Sequence, residues 1–139
     1  MLKKTITFED FNGETRTEDH FFNLTKAEIT EMELSKEGGM TVLLRRIVAE
    51  KNAPAMATSF KEILRRAYGR KSDDGRRFQK SDEIWKSFEE SGAYDVFFME
   101  LMENPDKMAA FVNGVVPKDL AERVRENGDS DAKSGDSSS

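Results

Sequence analysis

Residues 22–29 read Phe-Asn-Leu-Thr-Lys-Ala-Glu-Ile, and this stretch marks a change from strand to helix. Thr25 and Glu28 have the spacing of a capping box, in which each side chain accepts a hydrogen bond from the other residue's backbone N–H. Leu24 and Ile29 flank the box at the spacing of a hydrophobic staple. The sequence therefore predicts a helix over residues 26–34, with strands before it.

The segment before the capping box has the pattern of a β-hairpin. Residues 5–8 are Thr-Ile-Thr-Phe, and residues 15–22 contain a second run of β-branched and aromatic side chains. Between the two runs, Asn12-Gly13 favours the positive φ values of a tight type I′ turn. Two strands alone are marginal in water, so this hairpin requires helices behind it or a partner strand beside it.

The turn also predicts which residues pair across the hairpin. With Asn12-Gly13 at the centre of the turn, Phe8 lies opposite Thr17 and Ile6 lies opposite Asp19. A bulge at the turn would change that register.

After residue 34, apolar residues recur at offsets of three and four, which is the spacing of one helical face. A polar, basic connection at 69–80 interrupts this pattern, with Gly69 placed to stop a helix and Ser72-Asp73-Asp74-Gly75 as a turn signal. The predicted helices lie at 26–34, at 40–51, at 55–68, after a capping Ser81, at 93–103, and, after a capping Asn104, from Pro105 to an end at Gly114 and Pro117.

The last part of the chain is more polar. The few apolar residues at 118–127 predict at most a marginal helix. Residues 128–139 are rich in Gly, Asp and Ser, a composition that predicts a disordered tail. The expected fold class is α+β, mainly α: a β-hairpin at 1–24, then a bundle of about five to six short helices at 25–117, in one domain with the hairpin.

Composition excludes several classes of protein. The chain has 139 residues, enough for one domain, with 35% charged residues and no Cys. It contains no apolar run of the roughly 18 residues that a membrane helix needs, and its N-terminus lacks the apolar segment of a secretion signal. We expect a cytoplasmic protein with no disulfide, no thiolate metal site and no membrane partner.

Reactive motifs are scarce. The single histidine, His20, follows Glu18 and Asp19 and is interpreted as an edge-strand residue without a chemical role. One His and no Cys do not support the usual zinc sites or a catalytic triad. Residues 72–75 lack the ligand spacing of a calcium loop, and Gly38-Gly39 is not followed by the Lys-Ser or Lys-Thr of a phosphate loop. The sequence predicts a non-enzymatic protein without cofactors.

The middle of the chain is basic, although the whole chain has a net charge of −5. Residues 41–80 contain 11 basic and 4 acidic residues, whereas 1–40, 81–127 and 128–139 are each net negative. This basic segment could be a solvated face, could pair with the acidic ends of the same chain, or could bind an acidic protein surface. Binding to nucleic acid is less favoured, because the whole chain is acidic and has no basic recognition helix. The candidate basic patch comprises Arg65, Arg66, Arg70, Arg76, Arg77 and Phe78.

Residues 93–112 carry more large apolar side chains than one helix stripe can bury. They are either core or an adaptable Phe/Met surface for a helical client. Phe98 falls off the side that Phe97 and Leu101 share. The candidate client-binding residues are Phe97, Phe98, Leu101, Met102 and Phe111.

Several stretches resemble the tail assembly chaperones of long-tailed, siphovirus-type bacteriophages. The resemblance covers about residues 3–118, and 119–139 has no such support. The matching stretches are Lys-Thr-Ile-Thr-Phe at 4–8, Asp-Phe-Asn-Gly at 10–13, Phe-Asn-Leu-Thr-Lys-Ala-Glu at 22–28 with Glu-Met-Glu at 31–33, Ala-Tyr-Gly at 67–69, Lys-Ser-Asp-Asp-Gly-Arg-Arg-Phe at 71–78, and Phe-Val-Asn-Gly-Val-Val-Pro at 111–117.

This resemblance implies a role in the host cell cytoplasm. Members bind the long, helical tape measure protein and keep it soluble while tail tube subunits polymerise around it, and they are absent from the mature virion. In many phages a ribosomal frameshift gives a longer form that recruits the tube protein. The family has no catalytic residues.

Other functions stay open at this point. The chain could be a structural virion component, such as a head–tail or tail-end adaptor, or a small nucleic-acid-binding regulator that uses the basic patch. The hairpin's open edge and the Phe/Met helix are also candidate surfaces for a homo-oligomer.

Overall fold

The structure is a computed structural model that describes residues 1–34, 39 and 53–117. The chain divides into two compact units, one of residues 1–23 and 64–115, the other of residues 24–63 and 116–139. The predicted helix at 40–51, the marginal helix at 118–127 and the predicted tail at 128–139 lie outside the described residues. The single-domain organisation stays a prediction.

The described residues confirm an α+β, mainly helical fold with an N-terminal hairpin. The four strands form one antiparallel sheet in the order β1-β2-β3-β4. The elements are β1 (Leu2–Glu9), β2 (Thr15–Phe22), α1 (Lys26–Glu33), α2 (Ala53–Ala67), β3 (Tyr68–Lys71), β4 (Phe78–Gln79), α3 (Asp82–Glu89), α4 (Gly92–Glu103) and α5 (Pro105–Val115).

The turn between β1 and β2 differs from the predicted type I′ turn. The Gly13 N–H donates to the Asp10 carbonyl at 3.0 Å, and the Asp10 N–H donates to the Glu14 carbonyl at 2.8 Å. Phe11 and Asn12 therefore occupy the centre of the turn, and Gly13, with a φ of 80°, follows it as a bulge residue.

This bulge shifts the strand register by one residue. Phe8 lies opposite Arg16 and Ile6 opposite Glu18, so the predicted pairing with Thr17 and Asp19 is wrong. The even-numbered residues of both strands share the inner face of the sheet, where Ile6 and Phe8 are buried.

A second hairpin replaces the predicted connection at 69–80. The helix α2 ends before Gly69, as expected, but Gly69 then continues into β3, where it pairs with Phe21. Gly69 is buried, and a Cβ at this position would lie 2.8 Å from the Gln79 carbonyl oxygen. The predicted turn at 72–75 is present, since Gly75 has a φ of 76° and its N–H donates to the Ser72 carbonyl at 2.9 Å.

The predicted helix caps are present. Thr25 Oγ1 accepts from the Glu28 N–H at 3.1 Å, and Glu28 Oε1 accepts from the Thr25 N–H at 2.9 Å. Ser81 Oγ accepts from the Ile84 N–H at the start of α3, and Asn104 Oδ1 accepts from a backbone N–H in the first turn of α5. The last helix continues past Gly114, its predicted stop, and ends at Val115.

Phe22 lies at the centre of the core of the first unit and is fully buried. Its ring centroid lies 5.0 Å from that of Phe111, 5.3 Å from that of Phe97 and 5.8 Å from that of Phe88. Helices α4 and α5 contact β1, and α3 contacts β3. In the described part of the second unit, the buried apolar residues are Leu24, Ile29, Phe60, Ile63 and Val116.

Candidate functional site

Three of the five predicted client-binding residues belong to the core. Phe97, Leu101 and Phe111 are each at most 2% exposed. Phe98 and Met102 are half-buried, so they are the predicted residues that a client could reach in this structure. A role of these residues in client binding stays a prediction.

The two most exposed apolar side chains of α4 were not among the predicted client-binding residues. Val96 and Met99 are 41% and 46% exposed. At roughly 100° per residue, Phe98, Met102, Met99 and Val96 lie in that order around the side of the helix that faces away from Phe97. The exposed Asp95 lies between Met102 and Met99, and the exposed Glu103 lies between Met99 and Val96. We call these four residues the α4 outer face.

An aromatic contact sets the orientation of α4. Tyr94 lies against Trp85 and Phe88 of α3, with ring centroids 5.8 and 5.7 Å apart. Tyr94 also stacks on Phe98 at 5.4 Å. Phe98 therefore borders α3, whereas Val96 lies on the opposite flank of the helix. Helical periodicity alone could not have shown which arc of α4 is buried.

The predicted basic patch separates into two neighbouring groups. Arg70, Arg77 and Phe78 line a depression together with Lys80 and Glu83. Arg65 and Arg66, from the end of α2, line another depression with Lys80 and Asp82. Arg76 is exposed at the β3–β4 turn. The basic residues thus lie beside the acidic first turn of α3 rather than on one continuous cationic surface.

A larger groove of about 730 Å³ opens where β2 and β3 separate beyond Phe21 and Gly69. The ionisable side chains in this groove largely contact each other: Arg16 Nε lies 2.8 Å from Asp10 Oδ2, and His20 Nε2 lies 3.1 Å from Glu18 Oε1.

His20 has a structural position. It does not lie in an edge strand, as predicted, because β2 lies between β1 and β3. Burial lowers the pKa of its ring, although Glu18 and Asp19 act in the opposite direction. Burial also raises the pKa of Tyr68 to about 12. Both shifts favour neutral side chains, which suits a packed position more than proton transfer.

The described residues contain no cluster of His, Cys, Asp or Glu that could hold a metal ion. Among them, no helix combines the length and the apolar character that crossing a bilayer requires. The exposed apolar side chains of Val96 and Met99 form a surface on which another protein could pack.

Comparison with known proteins agrees with that description. A family model described as phage tail assembly chaperone matches residues 1–138. No curated protein and no solved structure matches the chain significantly. Such chaperones are assembly helpers and not enzymes, in agreement with the scarcity of reactive motifs.

Proposed function

Because the chain belongs to the phage tail assembly chaperone family, we propose that it binds the tape measure protein and keeps it soluble while tail tube subunits assemble around that protein. We place this activity in the host cell cytoplasm and expect the chain to be absent from the mature virion. A frameshifted longer form would bring the tail tube protein as a further partner.

The observation that supports this proposal is the α4 outer face. Two of its apolar side chains are more than two-fifths exposed, and two are sulfur-bearing and flexible. Methionine side chains adapt to irregular apolar surfaces, and an amphipathic helix can lie against such a face. A long helical client exposes apolar stripes that aggregate unless they are covered, so weak contacts by many copies along its length would protect it.

Co-expression tests the proposal. The full chain should raise the soluble yield of the tape measure protein and co-purify with it. Met99→Glu should abolish both effects, because it places a charge on the outer face without entering the core. Leu34→Glu is the matched control, since Leu34 is 83% exposed but lies outside this face. An unchanged soluble yield with the wild-type chain would contradict the client assignment.

The two alternative functions predict different results. A structural component would be found by mass spectrometry in purified virions, in stoichiometric amount. A nucleic-acid-binding regulator would bind DNA with a salt-dependent affinity that falls when Arg70 and Arg77, which share a depression, are both changed to Gln.

A further inference from the structure

Strand β1 lies at one end of the sheet and, in the part of the chain that the structure describes, has β2 as its only hydrogen-bonded neighbour. Antiparallel pairs alternate between bonded and non-bonded, and Asp10 and Glu14 form a bonded pair next to the turn. The even-numbered residues of β1 therefore bond to β2. The odd-numbered residues direct their N–H and C=O groups to the other edge; they are Lys3, Thr5, Thr7 and Glu9, all with exposed side chains.

We propose that two copies of the chain pair through this edge, with their β1 strands antiparallel and related by a two-fold axis at Ile6. In that register Lys3 lies opposite Glu9 of the second copy, and the same ion pair forms again on the other side of the axis. Thr5 lies opposite Thr7 of the second copy. The backbone N–H and C=O groups that each strand directs to its free edge therefore face one another. Opposite charges directly across a strand pair stabilise it, and like charges destabilise it.

The charge pattern selects this register over its neighbours. An axis at Thr5 would place Lys4 opposite Ile6 of the second copy and leave Lys3 opposite a threonine. An axis at Thr7 would leave Glu9 opposite Thr5. Moving the axis by one residue changes the pairing by two positions, which keeps the inner and outer faces of the two sheets matched. The axes at Thr5 and Thr7 therefore give the nearest alternative registers.

The start of α4 limits how far the backbone pairing extends. A Cβ at Gly92 would lie 2.8 Å from the Glu9 carbonyl oxygen, so α4 approaches that end of the strand closely. The backbone pairing is therefore centred on Thr5 and Thr7. Glu9 contributes through its exposed carboxylate, which pairs with Lys3 of the second copy.

The same axis accounts for the exposure of Val96. Helix α4 contacts β1 and α3 contacts β3, so the flank of α4 that faces away from α3 lies on the side of the free edge. Val96 is on that flank. An axis perpendicular to the sheet keeps both α4 helices on one side of it and brings the two flanks together, which would cover Val96.

Charge exchange tests the dimer and its register. Light scattering on the full chain should give twice the 15.8 kDa of one copy. Lys3→Glu and Glu9→Lys should each reduce the mass to that of one copy, because each places like charges opposite one another twice. The double variant K3E/E9K should restore the dimer. An equimolar mixture of the two single variants should also dimerise, because one original and one exchanged ion pair then form.

Lys86→Glu, at an exposed position of α3, is the control and should remain a dimer. Circular dichroism of each variant checks that it is folded, and the restored double variant excludes simple misfolding. A wild-type chain of single mass, single variants that stay dimeric, or a mixture that stays monomeric would each overturn the proposal. So would a wild-type assembly larger than a dimer, since two-fold edge pairing is closed. The test measures the mass of the chain alone and needs no client. Because the dimer would cover Val96, client binding by the dimer would rest on Phe98, Met99 and Met102.

Discussion

His20 Nδ1 lies 2.8 Å from the hydroxyl oxygen of Tyr68. This contact links β2 to β3 next to the two residue pairs, Phe21–Gly69 and Phe22–Tyr68, that join the strands. The His20 ring also lies against Phe88, with centroids 4.8 Å apart, and its side chain is only 11% exposed. A neutral imidazole satisfies these contacts, whereas a charged one would have to be desolvated.

We expect stability to fall as the pH drops below about 6.5. The pKa of His20 is lowered from 6.5 in the folded protein, so the unfolded chain binds a proton first as the pH falls. The unfolded state then holds more protons, and the free energy of unfolding decreases toward the folded-state pKa. Thermal melts above and below pH 6.5 check this. The Tm of His20→Gln should decrease less than that of the wild type when the pH is lowered. An equal decrease in the wild type and the variant would mean that other groups cause the effect.

Replacing Lys80 should destabilise the first unit. Its ammonium donates to the carbonyl oxygens of Asn23 at 2.7 Å and Arg66 at 2.8 Å. Lys80→Met keeps much of the side-chain volume but removes these bonds, and we expect a loss of about 1–3 kcal/mol in urea unfolding. Lys86→Met, at an exposed position, should change stability by less than about 0.5 kcal/mol. Equal stability of the two variants would contradict the bridging role.

The capping box of α1 should contribute measurably to stability. Thr25→Ala removes the acceptor for the Glu28 N–H, and we expect a loss of about 1 kcal/mol. Thr25→Ser keeps the hydroxyl and is the matched control. If the hydroxyl is responsible, the free energy of unfolding of Thr25→Ser should stay close to that of the wild type. Equal stability of the alanine and serine variants would show that the cap does not stabilise the helix.

Two glycines should respond in opposite ways to alanine. At Gly92 a Cβ would lie 2.8 Å from the Glu9 carbonyl oxygen, so Gly92→Ala must move backbone and should lose about 1–3 kcal/mol. At Gly114 the nearest atom is the end of the flexible Leu2 side chain, at 3.3 Å. Gly114→Ala should be neutral or gain up to about 1 kcal/mol from helix propensity. Chemical denaturation of both variants measures the change in the free energy of unfolding. Destabilisation of both variants, or stabilisation of both, would contradict the prediction.

Local signals predicted the hairpin, the helix caps and most helix positions. The capping box worked because both of its hydrogen bonds lie within four residues. The strand register failed because Gly13 supplies the positive φ of a bulge and not of a type I′ turn. Strands β3 and β4 were missed because their charged residues and Gly69 are typical of a loop. Strand β3 pairs with β2, which is distant in sequence, and β4 in turn pairs with β3.

The exposure of the candidate client-binding residues was predicted only in part, for a related reason. The apolar content of α4 was compatible with either core or an exposed surface, and the helical period separated Phe98 from Phe97 and Leu101, as their burial confirms. Which residues face water depends on where β1 and α3 pack, and the period of the helix carries no such information. Val96 and Met99 could therefore be identified only from the packed structure.

The contact between Phe22 and Phe111 has a consequence for synthesis on the ribosome. At roughly 5–20 residues per second, about 5–20 seconds separate the addition of these two residues. During that interval the nascent hairpin carries an uncovered aromatic side chain and an unpaired strand edge. The nascent chain thus passes through a short period in which it is itself prone to aggregate, and faster translation should improve its yield.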